Sequence, residues 1–291
     1  MPVAATTIGE AIKEATLELE GGSLISARVE AERIVGEALG LDRADLYLYS
    51  AQELTAPAQA FITGAVAERL SGRPLQYILG HQHFRHLDLI CREKVLIPRP
   101  ETELLVEEVL AGLNDLRTLG VPLVLDIGSG TGAIALSVTY EHDVARVIAV
   151  DVSDEAIALT RENAARNGQL DRVTVVQSDL FGGLQAYRGL VDIIVSNPPY
   201  IRTSDLESLQ GEVGREPRLA LDGGEDGLDF YRRIIEEAPA FLKPGGLLFF
   251  EIGFDQAAGV LAILEDKGGF KDIEVRKDYL ENDRIIKARR I

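Results

Sequence analysis

The apolar positions of this 291-residue chain follow two different periods. In the N-terminal part they recur every three or four residues, which is the spacing of amphipathic helices. From Val121 onward, short β-branched runs alternate with segments of helical spacing. Such alternation is typical of a mostly parallel sheet with helices on both faces. The pattern therefore predicts a helical domain followed by an α/β domain.

Residues 1–74 are predicted to form a helical bundle. Thr7 and Glu10 fit a capping box at the start of a first helix, which the glycines at 21–22 end. Further helices are predicted at 27–39, 44–49 and 56–70, and the last of them is predicted to turn Phe61, Val66 and Leu70 inward. This part carries no catalytic constellation, so we interpret it as a substrate-docking domain.

Residues 75–96 change period and are predicted to form a connecting β-hairpin, with strands at 75–79 and 86–96. Four side chains with metal-binding atoms lie close together here: His81, His83, His86 and Cys91. A metal site needs several ligands that converge, and these residues lack a standard ligand spacing. We therefore predict solvated histidines and no metal.

The α/β domain is predicted to span residues 97–291. Its first helix starts at Pro100, with Glu101 and Glu103 at the positive end of the helix dipole. The predicted strands are 122–126, 146–151, 173–177, 191–196, 246–251, 272–278 and 284–289, and the later helices are 132–141, 154–167, 226–242 and 255–267. Because only a short turn joins the last two strands, one strand is predicted to run antiparallel at the far side of the sheet.

An Asn-Pro-Pro-Tyr sequence at 197–200 follows the strand predicted at 191–196. In an open α/β sheet, ligands bind beyond the carboxyl ends of the strands. Asn197 and the carbonyl of Pro198 can accept hydrogen bonds from an NH2 group, and Tyr200 can stack on a flat group. With Pro199, this set suits a planar amide or amine. The alternative is a plain Pro-Pro turn in which Asn197 caps the backbone.

A glycine-rich sequence, Asp-Ile-Gly-Ser-Gly-Thr-Gly at 126–132, leads from a predicted strand into a helix. Its third glycine comes one residue earlier than in the dinucleotide fingerprint, and it lacks the Lys-Ser/Thr pair of a phosphate loop. A nucleoside ligand without a pyrophosphate is therefore favoured over NAD or ATP. The candidate binding residues of this glycine loop are Gly128, Ser129, Gly130, Thr131 and Gly132.

Acidic residues also end or follow two other predicted strands. Asp151 is placed to hold the hydroxyl groups of a ribose, and its alternative role is to mark the start of the next helix. Asp179 can accept a hydrogen bond from an adenine amino group, and Leu180 can pack on the ring. The alternative for these last two residues is a plain turn.

Composition restricts the possible partners and location. The formal net charge of -17 argues against tight nonspecific nucleic-acid binding. A single cysteine, Cys91, fits a reducing compartment. The N-terminus lacks a signal-peptide pattern, and no apolar run approaches the ~18 residues needed to span a bilayer. We therefore predict a cytoplasmic protein without membrane association or stable nucleic-acid binding.

The glycine loop, the acid after the second strand and the Asn-Pro-Pro-Tyr sequence together resemble S-adenosylmethionine-dependent methyltransferases. Over nearly its full length the chain is similar to the HemK-type family, the protein-(glutamine-N5) methyltransferases of peptide-chain release factors. The matching motifs are Gln-Tyr-Ile-Leu-Gly at 76–80, Ile-Pro-Arg-Pro-Glu-Thr-Glu at 97–103, the glycine loop, Ser-Asn-Pro-Pro-Tyr-Ile at 196–201, Glu-Pro at 216–217 and Asn-Asp-Arg at 282–284. One departure is Phe-Arg-His at 84–86, where the family usually carries a glycine near the hairpin.

The resemblance implies a Rossmann-like methyltransferase sheet, S-adenosyl-L-methionine as cofactor and release factors as partners in translation termination. It implies methyl transfer to the side-chain nitrogen of the glutamine in their Gly-Gly-Gln motif. The glycine loop, Asp151, Asp179, Leu180 and Asn197 would bind the cofactor. Residues 197–200 would bind the substrate, and Asn197, Pro198 and Tyr200 would carry catalysis.

Two other functions remain open from the sequence. An Asn-Pro-Pro-Tyr sequence also suits a flipped base, so the chain could be an amino methyltransferase for adenine or guanine in DNA or RNA. The acidic composition and the lack of a basic target-recognition domain argue against this function. The fold could also serve as a noncatalytic binding module, but the intact Asn197 and glycine loop argue against that.

Overall fold

The computed structural model describes residues 6–116, 120–209 and 211–291. The chain divides into two compact units, Met1–Gly80 and His81–Ile291. The predicted domains 1–74 and 97–291 include residues 1–5, 117–119 and 210, which lie outside the described residues. Among the described helices, none combines the length and the apolar character that a membrane span requires.

Helices make up the first unit, as predicted. They are α1 (Ile8–Gly21), α2 (Ala27–Leu39), α3 (Arg43–Leu48), α4 (Ala56–Leu70) and α5 (Leu75–Leu79). The capping box is present, because the Thr7 hydroxyl accepts from the Glu10 N–H and the Glu10 carboxylate accepts from the Thr7 N–H. Their shared core contains Leu19, Ile34 and Val66. The helical prediction for this unit is confirmed, whereas the docking role remains a prediction.

The inward face of α4 differs from the prediction. Phe61 and Leu70 are 39% and 42% exposed, and only Val66 of the predicted trio is buried. The buried stripe runs from Ala58 through Ile62 to Arg69, at the helical period of 3.6 residues. Phe61 and Leu70 lie on opposite sides of this stripe. They therefore stay exposed, although their side chains are large and apolar.

The strand predicted at 75–79 is wrong, because these residues form the short helix α5. Gly80 closes that single turn in a left-handed conformation with φ 82°, and its N–H donates to the Gln76 carbonyl. A β-hairpin does follow, but it is shorter than predicted: β1 (His81–Phe84) pairs antiparallel with β2 (Leu87–Ile90). The predicted strand at 86–96 is therefore wrong beyond Ile90, where the chain leaves the hairpin.

Arg85, at the turn of this hairpin, adopts a left-handed φ of 51° where a glycine would be less strained. Its N–H donates to the Glu103 carboxylate at 3.0 Å, and its guanidinium donates to the Glu141 carboxylate. These bonds hold the arginine in place and explain how the hairpin turns without the family's glycine.

Seven strands in the described part of the second unit form one sheet, in the order β5-β4-β3-β6-β7-β9-β8. The strands are β3 (Leu123–Ile127), β4 (Arg146–Asp151), β5 (Val173–Gln177), β6 (Val191–Ser196), β7 (Leu242–Glu251), β8 (Phe270–Lys277) and β9 (Asp283–Arg290). Both pairings of β9 are antiparallel and the other described pairings of this sheet are parallel, so β9 alone runs opposite to the other strands, which confirms the single antiparallel strand. It lies between β7 and β8.

Helices cover both faces of this sheet, as predicted. The described α-helices of this unit are α6 (Pro100–Asp115), α7 (Ala133–Glu141), α8 (Asp154–Arg166), the single turn α9 (Thr203–Leu206), α10 (Asp229–Phe241) and α11 (Ala257–Lys267). Leu105 of α6 and Leu136 of α7 share one core with Val195. Ile234 of α10 and Val260 of α11 share the other with Ile194.

The strand order reverses between β3 and β6, which pair in parallel with Ile127 opposite Ser196. Such a switch point leaves a crevice at the carboxyl ends of the two strands. The glycine loop leaves β3 there, and the Asn-Pro-Pro-Tyr sequence leaves β6 beside it. The topology thus brings the two sequence motifs to one place.

Candidate active site

A cavity of about 410 Å³ opens at this switch point. Its volume lies within the range of small-molecule sites. Most of the predicted site residues line it: Gly128, Ser129, Gly130, Thr131, Asp151, Asp179, Leu180, Asn197, Pro198 and Pro199. Gly132 and Tyr200 are not part of the lining. Pro217, from the Glu-Pro motif, also lines it, and so do residues 95–96, 218–220, Phe230 and Ile234, which the sequence did not single out as site residues.

The glycine loop needs its glycines for their backbone conformation. Gly128, Gly130 and Gly132 have φ angles of 78°, 57° and 85°, which residues with a Cβ rarely adopt. The N–H groups of Gly128 and Ser129 donate to the Val150 carbonyl at 2.8 and 2.9 Å. These bonds fix the loop to the end of β4, next to Asp151, which is predicted to contact the ribose of the ligand.

Asp151 fixes the loop further through both carboxylate oxygens. One oxygen accepts from the Gly130 N–H and the other from the Ser153 N–H, each at 2.9 Å. Burial raises the pKa of the Asp151 carboxyl, and these two N–H groups oppose the shift. The cap of α8 is the Ser153 hydroxyl, which accepts from the Ala156 N–H. Asp151 is therefore not the helix cap, and its contact with a ribose remains a prediction.

Asp179 and Leu180 lie at the end of the cavity nearest β5. The Asp179 side chain is 60% exposed and accepts a hydrogen bond from Arg233 at 2.7 Å. Leu180 is buried and has a φ of 49°. The ion pair with Arg233 uses only part of the hydrogen-bond acceptor capacity of the Asp179 carboxylate. The contact of Asp179 with an adenine amino group remains a prediction.

The Asn197 side chain is held from behind by a short chain of hydrogen bonds. Its amide nitrogen donates to the Thr102 hydroxyl at 3.1 Å, and that hydroxyl donates to the Glu251 carboxylate at 2.7 Å. Thr102 and Glu251 are 5% and 1% exposed. Asn197 therefore contacts helix α6 through its side chain and does not act as the backbone cap of a simple turn.

Tyr200 follows the lining residues Pro198 and Pro199 but does not itself line the cavity. Its carbonyl accepts from the Gln256 amide at 2.8 Å, and its ring packs on the core shared by α10 and α11. Burial raises the pKa of the Tyr200 hydroxyl to about 12. The phenol therefore stays protonated near neutral pH and cannot serve as a general base. Its predicted packing against a substrate remains a prediction.

Glu216 joins two chain segments that line the cavity. Its carboxylate accepts from the Ile97 N–H at 3.0 Å and forms an ion pair with Arg99. The Glu216 side chain is fully buried, and burial raises the pKa of its carboxyl while the Arg99 cation opposes that shift. This contact joins the motif at 97–103 to the Glu-Pro sequence at 216–217. Sequence reasoning identified both motifs and missed their contact.

The histidine segment lies in the hairpin and does not line the cavity. His81 contacts the Asp88 carboxylate at 2.5 Å, and His83 lies 3.9 Å from the same oxygen. The other oxygen of Asp88 forms an ion pair with Arg166. Asp88 thus contacts two histidines and an arginine in the hairpin region, and the absence of a metal remains a prediction.

Similar solved structures share the fold of the second unit. A methyltransferase from Pyrococcus furiosus is 22% identical with a TM-score of 0.50, and the match covers 71% of this chain and 89% of that one. The hMettl16 catalytic domain, solved in complex with the MAT2A 3'UTR hairpin 6, is 17% identical with a TM-score of 0.56 and coverages of 78% and 81%. At these identities the likeness establishes the Rossmann-like methyltransferase fold alone.

Two family models and two curated relatives show to which family the chain belongs. The PrmC N-terminal domain matches residues 10–80, and the methyltransferase small domain matches residues 102–211. The release factor glutamine methyltransferase of Moorella thermoacetica is 41% identical over 98% of this chain and 99% of its own length. The enzyme of that name from Geobacter sulfurreducens is 46% identical, with coverages of 91% and 90%. A chain that is more than 40% identical to these two relatives, over at least 90% of its own length and of theirs, belongs to the release factor glutamine methyltransferase family.

Proposed function

We propose that the protein transfers a methyl group from S-adenosyl-L-methionine to the side-chain amide nitrogen, N5, of the glutamine in the Gly-Gly-Gln motif of peptide-chain release factors. The observation that carries this proposal is the position of Asn197 and Pro198 on the cavity, directly beside the glycine loop. An acceptor pair next to a nucleoside-binding loop suits the methylation of an amide nitrogen. The names of the full-length relatives support the same substrate.

The residues of the cavity fit the cofactor. The left-handed glycines leave space for a ligand against the backbone, and no Cβ would be tolerated there without strain. The Asp151 carboxylate is partly used by two N–H groups and has lone pairs left for ribose hydroxyls. Bound S-adenosylmethionine would supply a methyl group activated by a positively charged sulfur. The glycine loop and Asp151 would hold its nucleoside, with Asp179 and Leu180 at the adenine.

The task of the protein residues is to position a weak nucleophile. The lone pair of an amide nitrogen is delocalised into its carbonyl group, so the nitrogen attacks poorly. The Asn197 side-chain oxygen and the Pro198 carbonyl would accept its two N–H groups and aim the lone pair at the methyl group. Two consecutive prolines fix the backbone at this point. Positioning and electrostatic stabilisation of this kind carry most of the rate enhancement in such transfers.

No step requires a strong base in the cavity. The amide nitrogen becomes much more acidic once it has received the methyl group, and its proton can leave to solvent. Tyr200 stays protonated, and Glu251 contacts Thr102 and does not line the cavity. The proposed reaction thus forms one N–C bond, breaks one S–C bond and releases one proton.

The cavity also accounts for the proposed substrate motif. Glycine residues beside the glutamine have no side chain to collide with the rim, and their backbone bends easily. Release factors act in the cytoplasm, which is where we place the protein. With a net charge of -17, we expect no stable binding to nucleic acid.

Mass spectrometry tests the proposal directly. Purified release factor, its Gln→Ala variant at the Gly-Gly-Gln motif, tRNA and DNA are incubated separately with the protein and labelled cofactor. We expect one methyl group on that glutamine and none on the variant. Label in the variant at a similar level would contradict the glutamine assignment. Stronger label in tRNA or DNA would favour the methylation of a base amino group.

A further inference from the structure

The hydrogen bonds behind Asn197 have a fixed direction. A threonine hydroxyl has one proton to give, and Thr102 gives it to the Glu251 carboxylate at 2.7 Å. An ionised carboxylate can only accept, so the Thr102 hydroxyl must accept from its other partner. That partner is the amide nitrogen of Asn197, at 3.1 Å. The side-chain oxygen of Asn197 therefore lies on the opposite side of the amide group.

This direction matters because the two ends of an asparagine amide have nearly the same shape and opposite hydrogen-bonding character. With the oxygen toward the substrate, Asn197 accepts from an N–H group. With the amide flipped by 180°, an NH2 group would face the NH2 group of a glutamine, and neither could accept. The flipped form would leave polar groups unpaired at the reacting atom, which is unfavourable.

From this geometry we propose that Thr102 and Glu251 are positioning residues, which hold the Asn197 amide with its oxygen toward the substrate. The proposal rests on the proposed function, in which that oxygen accepts an N–H of the substrate amide. Glu251 lies at the end of β7 and does not line the cavity, so it acts on the Asn197 amide, through Thr102 and by its own contact with that side chain, and not on the substrate. A neutral residue in place of Glu251 would fill the same space but would not fix the orientation of the Asn197 amide.

Several groups around Glu251 influence the pKa of its buried carboxyl. Burial raises the pKa of its carboxyl to about 7, and the Thr102 hydroxyl, the Arg284 cation and the Asn197 side chain oppose the shift. Glu101 is the other charged group that faces it and pushes the pKa upward. Tyr231 donates to the Glu251 backbone carbonyl at 2.9 Å, and Tyr200 is also close enough to be influenced by the charge.

Protonation of Glu251 removes the constraint on direction. A protonated carboxyl can donate to Thr102, whose hydroxyl can then donate to an Asn197 oxygen that has turned away from the cavity. The active orientation is therefore fully held only above the pKa of about 7. Below it we expect the turnover rate to fall, while the affinity for the cofactor stays the same because Glu251 contacts no part of the glycine loop.

Substitutions at Thr102 and Glu251 test the proposal. Thr102→Val keeps the shape and removes the hydroxyl, and Thr102→Ser keeps the hydroxyl as the matched control. We expect the single-turnover rate of Thr102→Val to fall about tenfold or more, on the scale of a lost transition-state contact. Thr102→Ser should stay close to the wild-type rate. Cofactor affinity, measured by calorimetry, should be unchanged in both variants and reports that the site is folded.

The pH profile separates positioning from simple packing. The wild-type rate should fall as pH drops through about 7, whereas Glu251→Gln should be slower and lack this step. Glu265→Gln, at an exposed position of α11, is the control. A wild-type rate that is flat across this range would overturn the proposal without any variant. A Thr102→Val enzyme at full rate, or a pH step that persists in Glu251→Gln, would overturn it as well.

These outcomes are distinct from a failure of the proposed function. If the wild-type protein did not methylate release factor, the substrate assignment would fail first. If it did so and the Thr102 and Glu251 variants matched it at every pH, only the positioning role would be lost.

Discussion

Two oxygen atoms, which different parts of the structure hold in place, would bind the substrate amide. The carbonyl of Pro198 is fixed by the main chain, since neighbouring prolines restrict φ. The side-chain oxygen of Asn197 is fixed by a chain of hydrogen bonds that reaches from β6 through α6 to β7. Loss of the Asn197 side chain removes the second oxygen and leaves the first in place, so the two contributions can be measured separately.

Asn197→Ala should lower the single-turnover rate about 100-fold, on the scale of removing one positioned transition-state group. The fold and the cofactor affinity should be retained, because the glycine loop is fixed by Val150 and Asp151. Rapid-quench measurements under saturating cofactor give the rate, with Asn114→Ala on the exposed side of α6 as the control. A near-normal rate in Asn197→Ala would make this residue only a structural neighbour of Thr102.

Asp151→Ala should weaken cofactor binding at least tenfold, because charge-assisted hydrogen bonds to ribose would contribute roughly 1.5–3 kcal/mol. The same change frees the N–H groups of Gly130 and Ser153, so part of the loss would come from a looser loop. Asp151→Asn keeps one acceptor oxygen and separates the two contributions. Calorimetry measures both variants, and an unchanged dissociation constant for Asp151→Ala would reject the ribose contact.

At the scale of elements, the cavity is closed by segments that are far apart in sequence. The segment before α6 and the segment at 216–220 meet through Glu216, Ile97 and Arg99. A buried carboxylate that neutralises a cation and also accepts from a backbone N–H ties both segments to one point. Neither segment contains the glycine loop or the acceptor pair, yet both help to shape the space around the ligands.

Glu216→Ala should therefore raise the KM for release factor several-fold, because both segments lose their common contact. Breaking a buried ion pair costs about 3–5 kcal/mol, and the exposure of Arg99 to solvent reduces that cost. Steady-state kinetics and thermal unfolding measure the two effects. Glu207→Ala, at an exposed position between the same motifs, is the control. If KM and the unfolding temperature both matched the wild type, the contact would have no role in shaping the cavity.

The elements themselves were largely predictable from the sequence. β4, β5 and β6 were placed correctly because each is a β-branched run with clear ends. Helix α5 was mistaken for a strand because five residues between Pro74 and Gly80 are too few to reveal a period. The turn at Arg85 could not be foreseen, since its partners Glu103 and Glu141 lie on other elements.

At the scale of the whole molecule, the sequence predicted the residues that follow the strands and missed those that support them. Asn197 and Asp151 stand at strand ends, and the rule for open α/β sheets makes such positions candidates. Thr102 and Glu251 are 149 positions apart, and only the folded topology brings them together. A single sequence carries patterns within each element and gives little information on which elements meet.

The two compact units have separate cores, which allows their roles to be tested separately. None of the residues described in the first unit lines the cavity, so we expect a fragment of residues 81–291 to bind S-adenosylmethionine with the affinity of the full chain. The same fragment should methylate intact release factor at least tenfold more slowly, if the helical unit docks the protein substrate. Such a factor corresponds to a lost contribution of about 1.4 kcal/mol to substrate binding.

A short peptide with a Gly-Gly-Gln sequence distinguishes docking from chemistry. The peptide reaches the cavity and offers no surface for the helical unit, so the fragment and the full chain should methylate it at equal rates. Mass spectrometry of peptide and intact release factor with each enzyme gives the four rates that are needed. A fragment that is slow on both substrates would indicate a damaged active site. A fragment as fast as the full chain on intact release factor would show that the helical unit is not a docking domain.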